Sequence, residues 1–261
     1  MGPLQLLAKF ILGRTPLGRW PIRARIGFVA GARWTLYPWT SYWRGTHEPE
    51  LQAALCGLGG GDIRGWNCWD LGAHFGFYGI GLARRVGPTG QVAAFEPNPV
   101  SFARLEHHRA MNHLPWLKLY PAAVSAQSGS AELYTYGNLA TTTTHLPYDG
   151  EQRTVETGAL TVHTVRLDDL VRTGELRAPN FVKIDVEGHG HQALQGMQET
   201  LSAVRPLIVA GFHSPQEIEG MTSLLLQSGY RWEQIGSSAP SPKFQVGADY
   251  LFTPGTPPTR A

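Results

Sequence analysis

Cysteine is almost absent: the 261 residues hold two, Cys56 and Cys68. That excludes a disulfide scaffold and a cysteine-ligated zinc site, and it fits a reduced, cytoplasmic setting. Charge is scarce too, at 16% of residues against 42% hydrophobic, with eight Trp. Such a chain is not largely disordered, and it is long enough to bury a sizeable core. No apolar run reaches the roughly 18 residues of a membrane-spanning helix. The apolar start, Pro3 to Leu12, lacks a small-residue cleavage site before the charged stretch that follows, which argues against a signal peptide. A net charge of +2 makes no electrostatic case for a nucleic-acid partner.

The first 45 residues lack acid altogether. They carry Lys9, Arg14, Arg19, Arg23, Arg25, Arg33 and Arg44 and no Asp or Glu, while the rest of the chain holds 15 basic and 20 acidic residues. Four of the eight Trp fall between Trp20 and Trp43. With no clear strand alternation there, residues 1–60 read as helical segments and turns beside a main domain. We divide the chain into a basic, Trp-rich extension (1–45), a main domain (46–252) and a Pro/Thr-rich tail (253–261) expected to be disordered. Leu4–Leu12 and the Arg and Trp residues after it fit a peripheral contact with an anionic membrane or an anionic acceptor. A helical lid with solvated Arg residues is the alternative.

From about residue 65, short apolar runs alternate with helix-length amphipathic stretches, the pattern of βαβ units around a parallel sheet. The expected strands are Asn67–Leu71, Gln91–Phe95, Leu117–Ala122, Phe181–Asp185 and Leu207–Phe212. A closing pair follows at Tyr230–Ile235 and Asp249–Phe252. Helices are expected over Gly76–Arg85 and Val100–Met111. A third begins near His191, with Leu194, Met197, Leu201 and Val204 on one face. A fourth starts at the capping box Ser214-Pro215-Gln216-Glu217. About sixty residues separate the third and fourth strands, with strand candidates at Ala131–Tyr136 and Leu160–Leu167. Within them, Gly137–Gly158 and the run Thr141–Thr144 read as a substrate lid or a β-extension of the sheet.

Three motifs carry chemistry. In Trp69-Asp70-Leu71-Gly72-Ala73-His74-Phe75-Gly76 a strand runs into a Gly-bearing loop and then a helix, so a ligand can approach the backbone closely. A dinucleotide fingerprint would need Gly where His74 stands. Asp70 suits a cationic group, such as the amino group of a methionine moiety, better than a phosphate. An ordinary βα turn is the alternative. Next, Glu96 of Phe95-Glu96-Pro97-Asn98-Pro99 ends the following strand, where an acid can accept from two ribose hydroxyls. Last, Lys183-Ile184-Asp185-Val186-Glu187-Gly188 puts charges on an otherwise buried strand, which is costly unless they are paired. Asp185 should emerge at the carboxyl edge of the sheet. An ion pair of Lys183 with Asp185 or Glu187 is the structural alternative.

In this order the motifs resemble the FkbM family of S-adenosylmethionine-dependent methyltransferases. Matching text is Asp70-Leu71-Gly72-Ala73-His74-Phe75-Gly76-Phe77-Tyr78, Ala94-Phe95-Glu96-Pro97-Asn98, Pro121-Ala122-Ala123-Val124, Arg166-Leu167-Asp168-Asp169-Leu170, Lys183 to Gly188, and Arg205-Pro206-Leu207-Ile208-Val209. The resemblance implies an α/β class I methyltransferase (Rossmann-like) fold: a seven-stranded, mostly parallel sheet with helices on both faces. It implies S-adenosyl-L-methionine as cofactor and O-methylation of a small-molecule or glycan acceptor. Carried over, Asp70, Gly72, Ala73 and Gly76 form the amino-acid end of the cofactor site. Glu96 with Pro97 holds the ribose, Asn98 lies near the adenosine, Ala122 and Ala123 border the adenine, and Asp185 lies near the transferring methyl. Glu48, in Thr46-His47-Glu48-Pro49-Glu50, matches a Glu that faces the cofactor.

The chain also departs from the family pattern. His74 replaces Asn, Gly79 replaces Thr or Ser, and Gly190 and Gly211 stand where acids are usual. No metal site is therefore assigned. A cofactor-binding but catalytically degenerate partner protein is the competing reading. For an alcohol acceptor, the base would be His213 at the end of the fifth strand, oriented by Asp185 and flanked by Glu187. Capping the neighbouring helix is the blander role for His213. His189 and His191 read as solvated turn residues, and His107, His108 and His113 as solvated on a surface helix. The sequence sets no oligomeric state.

Overall fold

The computed structural model describes residues 21–35, 41–135, 142–143, 158–237 and 243–255. Helices cover a seven-stranded sheet on both faces. The chain enters it through β3 (Asn67–Leu71), α2 (Phe77–Val86), β4 (Gln91–Phe95), α3 (Pro99–Asn112) and β5 (Leu117–Tyr120). An earlier hairpin, β1 (Pro21–Arg23) and β2 (Arg33–Thr35), and helix α1 (Pro49–Gly57) precede this run. A small second sheet follows β5, with strands β6 (Ala123–Val124), β7 (Gly129–Thr135), β8 (Thr142–Thr143) and β9 (Gly158–Val165). The main sheet then resumes through α4 (Leu167–Arg172), β10 (Phe181–Ile184), α5 (Gly190–Gln195), α6 (Gln198–Val204), β11 (Leu207–Gly211), α7 (Pro215–Gln227), β12 (Tyr230–Gln234) and β13 (Asp249–Pro254).

Strand order in the main sheet is β12-β13-β11-β10-β3-β4-β5. All pairs are parallel except those of β13, which runs antiparallel to both neighbours. This is the expected seven-stranded, mostly parallel sheet. Alternation along the strands divides the core into two layers. Val92 and Ala94 of β4 face a layer with Phe28, Trp34, Phe77 and Ile80. Ala93 and Phe95 face the other, with Trp69, Leu194, Met197, Met221 and Phe252.

Several expectations need correction. Residues 21–35 form a hairpin, not helical segments, and Ala24, Phe28, Val29, Ala32 and Trp34 belong to the first core layer. The helix expected from His191 through Val204 is two helices. Asp168 breaks it: its carboxylate accepts from the backbone N–H groups of Glu199 and Thr200 at 3.0 and 2.9 Å and so caps a new start. Val204 is exposed, outside the apolar face it was assigned to. His108 is 1% exposed, not solvated. β13 continues to Pro254, so the tail begins later than expected. The Leu4–Leu12 segment lies outside the described residues. So does the candidate lid at 137–158, apart from Thr142, Thr143 and Gly158.

Candidate functional site

From β3 the chain winds one way to β4 and β5, and from β10 the other way to β11. Neighbouring β3 and β10 therefore send their following loops apart, and a crevice opens at their carboxyl ends. A cavity of about 280 Å³ lies there, with Tyr42, His47, Glu48, Gly72, Glu96, Asp185 and His213 among its walls.

The loop after β3 forms the floor. Gly72 has φ +84°, and a Cβ at that position would stand 1.8 Å from the Asp185 carbonyl oxygen. Only glycine lets the loop lie on the end of β10. The N–H groups of Gly72 and Ala73 donate to the Phe95 carbonyl at 3.0 and 2.9 Å, tying the loop to β4.

Glu96 ends β4 and faces the cavity. Its two oxygens accept from the N–H groups of His74 (2.7 Å) and Asn98 (2.8 Å). Burial pushes the carboxyl up to about 7, against those two donors. Each oxygen keeps acceptor capacity for a ligand hydroxyl. Pro97, Ala122 and Ala123 line the same side. Asn98 does not reach the cavity. Its side chain caps α3, accepting from Val100 and Ser101 N–H at 2.9 and 3.2 Å.

Asp70, Ala73 and Gly76 likewise stand behind the cavity wall rather than in it. Asp70 is fully buried, and neither oxygen has a hydrogen-bond partner in normal geometry among the described residues. Burial pushes its carboxyl up to about 6, and the Lys183 ammonium, 3.9 Å away, opposes this. A Cβ at Gly79 would stand 3.0 Å from Asp70 Oδ2.

Lys183 is 2% exposed and reaches Asp185 Oδ2 at 2.9 Å. Burial disfavours its charge, but Asp185 and Asp70 outweigh that and raise its pKa. Asp185, rather than Glu187, is thus the partner of Lys183. The other oxygen of Asp185 is 2.9 Å from His213 Nε2, while Glu187 stands 3.5 Å from Nδ1. Burial opposes a charge on His213, but the Asp185 hydrogen bond and the nearby carboxylates push its pKa up to about 9. The same carboxylate, between Lys183 and His213, is held well below the usual range despite burial.

Tyr42, His47 and Tyr78 were not singled out as site residues from the sequence. Tyr42 hydroxyl and His74 Nδ1 are 3.0 Å apart, closing one end of the cavity. Tyr78 donates to Glu48 Oε2 at 2.5 Å, with His47 Nε2 3.3 Å from the same oxygen. His189 lines the cavity, its Nε2 3.0 Å from Ser125 Oγ, so it is not a solvated turn residue. Glu217 is 2% exposed and accepts from the N–H groups of Gly190 (2.9 Å) and His213 (2.8 Å). The capping box is therefore half made: Ser214 Oγ accepts from Glu217 N–H, but the Glu217 carboxylate turns to the site. A Cβ at Gly190 would meet Glu217 Oε1 at 2.7 Å. The Met221 sulfur stands closer still, at 2.3 Å, so a side chain at 190 would collide with α7.

Asp185, Glu187 and His213 each offer a ligand atom within 4.8 Å of the others, close enough for a cation. Lys183 and His213 already occupy both oxygens of Asp185, however, so positive charge is supplied from within the protein.

A Gly-floored crevice at the switch point, an acid at the end of β4 and an Asp–His pair at the ends of β10 and β11 define a class I methyltransferase fold. The methyltransferase FkbM domain model matches residues 70–232, and the chain belongs to that family. It is similar to hexuronic acid methyltransferase AglP of Haloferax volcanii, 30% identical over 160 residues, which are 61% of each chain. It thus spans less than two thirds of that relative. Methyltransferase sdnD of Sordaria araneosa is 28% identical over 184 residues, covering 60% of this chain and 70% of the relative. A crystal structure of an FkbM methyltransferase from Methylobacillus flagellatus aligns with TM-score 0.49 at 17% identity, over 72% of this chain and 43% of that one.

Proposed function

We propose that the protein transfers a methyl group from S-adenosyl-L-methionine to a hydroxyl of a small polar acceptor, such as a sugar, a glycan or a secondary metabolite. The observation that carries this reading is the His213–Asp185 pair, 2.9 Å apart, in the same cavity as Glu96. The cavity residues fit the cofactor. Gly72 lets it approach the backbone, Glu96 has acceptor capacity for two ribose hydroxyls, and the acids around His213 suit a sulfonium. Bound there, the cofactor supplies an electrophilic methyl on a positively charged sulfur.

The chain's own residues do the rest. In neutral His213, Nε2–H donates to Asp185 Oδ1, which leaves the Nδ1 lone pair facing Glu187. Glu187 is half-exposed at 3.5 Å from Nδ1, and an acceptor hydroxyl that displaces it can pass its proton to Nδ1. Lys183 keeps Asp185 ionised and in place. Holding the acceptor oxygen in line with the methyl contributes several kcal/mol, about 7–11 in favourable intramolecular cases. AglP carries a hexuronic acid in its name and is the relative whose match is 30% identical, so sugars and hexuronic acids head the acceptor panel.

The competing reading is a degenerate, cofactor-binding partner, based on Gly190 and Gly211. The intact Asp185–His213 pair in the cavity speaks against it. The purified chain should release S-adenosylhomocysteine with at least one pool of sugars, glycans or small metabolites. Cofactor binding with no transfer to any pool would favour the partner reading. No cofactor binding would reject both. We also propose that the basic residues 1–45 contact an anionic surface; Arg23, Arg25, Arg33 and Arg44 are exposed. Equal co-sedimentation of full-length chain and a variant lacking 1–20 with anionic vesicles would remove that role for Leu4–Leu12.

A further inference from the structure

His74 sits in the loop after β3 with φ +49°, in the left-handed region. A residue other than glycine is uncommon there. Its N–H is one of the two that hold Glu96, donating to Oε2 at 2.7 Å. The residue that positions the candidate ribose acid thus rests on a backbone that most side chains disfavour, and something must keep it in place.

The hold comes from outside the family-matched region, which starts at residue 70. His74 Nδ1 is 3.0 Å from the Tyr42 hydroxyl, and the ring stacks on Phe75 at 3.8 Å. Tyr42 opens the short turn Tyr42–Arg44. Its own ring is fixed, stacked on Phe77 of α2 at 5.1 Å and edge-on to Trp34 of β2 at 6.1 Å. Burial, then Asp185, Glu48, Asp70 and Glu96, push its phenol above the usual range. The hydroxyl therefore keeps its proton and can donate it to Nδ1. Tyr42, His74 and Glu96 line one cavity.

We infer that Tyr42 is a positioning residue of the cofactor site: its hydrogen bond to His74 anchors the loop residue whose N–H holds Glu96, and so fixes the acid that receives the ribose hydroxyls. The N-terminal segment is then part of the cofactor site. The inference rests on the reading of Glu96 as the ribose acid. The N–H groups of Asn98 and His74 lower the Glu96 carboxyl, while burial, Asp70 on β3 and Asp185 after β10 raise it. Loosening His74 weakens one of the two donors. Free Glu96 then takes up a proton at higher pH, and cofactor affinity starts to fall at higher pH as well. The cavity's other titratable groups are His47 and Glu48 before α1, and Glu187, His189 and His213 after β10 and β11. They stay in place in every variant that tests this.

The experiment titrates S-adenosylhomocysteine into the full chain by calorimetry, from about pH 5.5 to about pH 8.5. Tyr42→Phe keeps the stacked ring and removes the hydroxyl. It should weaken binding about threefold to tenfold at neutral pH. It should also raise the pH midpoint of affinity by at least about 0.5 units, which a general loss of stability would not do. His74→Asn and His74→Gln both remove the imidazole. Asn keeps a polar atom near the place of Nδ1, so its midpoint should stay within about 0.2 units of the parent. Gln carries its amide further out, so its midpoint should rise as in Tyr42→Phe. Adding Tyr42→Phe to His74→Gln should then change nothing more. A midpoint unmoved by Tyr42→Phe overturns the proposal, and so does a shift that adds in full in the double variant. If Tyr42→Phe folds poorly, the two His74 variants decide alone: separate midpoints support the proposal and equal ones overturn it. Glu96→Gln keeps the two failures apart. Parental affinity in that variant at pH 8 would remove the ribose reading, and the proposal with it. Weak binding there, beside an unmoved Tyr42→Phe midpoint, would remove the role of Tyr42 alone.

Discussion

His213 and Glu96 carry opposite pH requirements. With its pKa pushed up to about 9, His213 is an imidazolium near neutrality and cannot accept a proton. A base must be neutral, so kcat/KM should rise about tenfold per pH unit and level off near pH 9. A pH–rate profile that is flat from 6 to 9 would remove His213 from that role. Glu96 works the other way round. Its carboxyl is raised to about 7 in the free protein, and donating ribose hydroxyls stabilise the ionised form. Cofactor binding should then release a proton. Affinity should be constant above pH 7 and fall by up to about tenfold per unit below it. Calorimetry in buffers of different ionisation enthalpy measures that proton directly.

At the scale of elements, His108 on α3 joins the N-terminal hairpin to the cofactor-side loop. Its Nδ1 lies 2.8 Å from the Phe75 carbonyl and its Nε2 2.7 Å from Thr35 Oγ1, with the ring stacked on Trp34 at 4.1 Å. Burial pushes its pKa down to about 4, so it is neutral when folded. The unfolded chain takes up a proton first, near 6.5. This contribution is therefore complete above pH 6.5 and is lost as pH falls towards 4, by up to about 3 kcal/mol. His108→Gln should be less stable than the parent at pH 7.5, with a gap that narrows by pH 4.5. Denaturant melts at the two pH values test this, and a pH-independent gap would contradict it.

Elements whose signal is local could be read from sequence. The strands at 67, 91, 117, 181 and 207 were placed to within two residues at each end, because their apolar runs are short and bounded by Gly, Pro or charge. The three-residue strands β1 and β2 are too short to show alternation. The break between α5 and α6 depends on Asp168, 31 residues before Glu199. The site divides the same way. Glu96, Asp185 and His213 follow strand ends and were visible. Tyr42 and His47 reach the cavity from the segment before α1, and only the tertiary fold reveals them.

Across the whole molecule, charge is arranged so that the protein supplies its own cations to the acidic site. Lys183 and His213 each take one oxygen of Asp185. Removing divalent ions with a chelator should therefore leave turnover within about twofold. A loss that added magnesium restores would instead make Asp185, Glu187 and His213 a metal site. The described residues of the basic N-terminal region are built into the first core layer through Phe28, Val29 and Trp34, so the basic and acidic regions of the chain share one core. The central claim is that this fold binds the cofactor at Glu96 and moves a proton at His213. Its most direct test is parallel measurement of cofactor affinity and methyl transfer in the parent and in His213→Ala. The account predicts an affinity unchanged within about twofold and a transfer rate lower by about 10²–10⁴-fold. A variant that transfers methyl at the parental rate would contradict it.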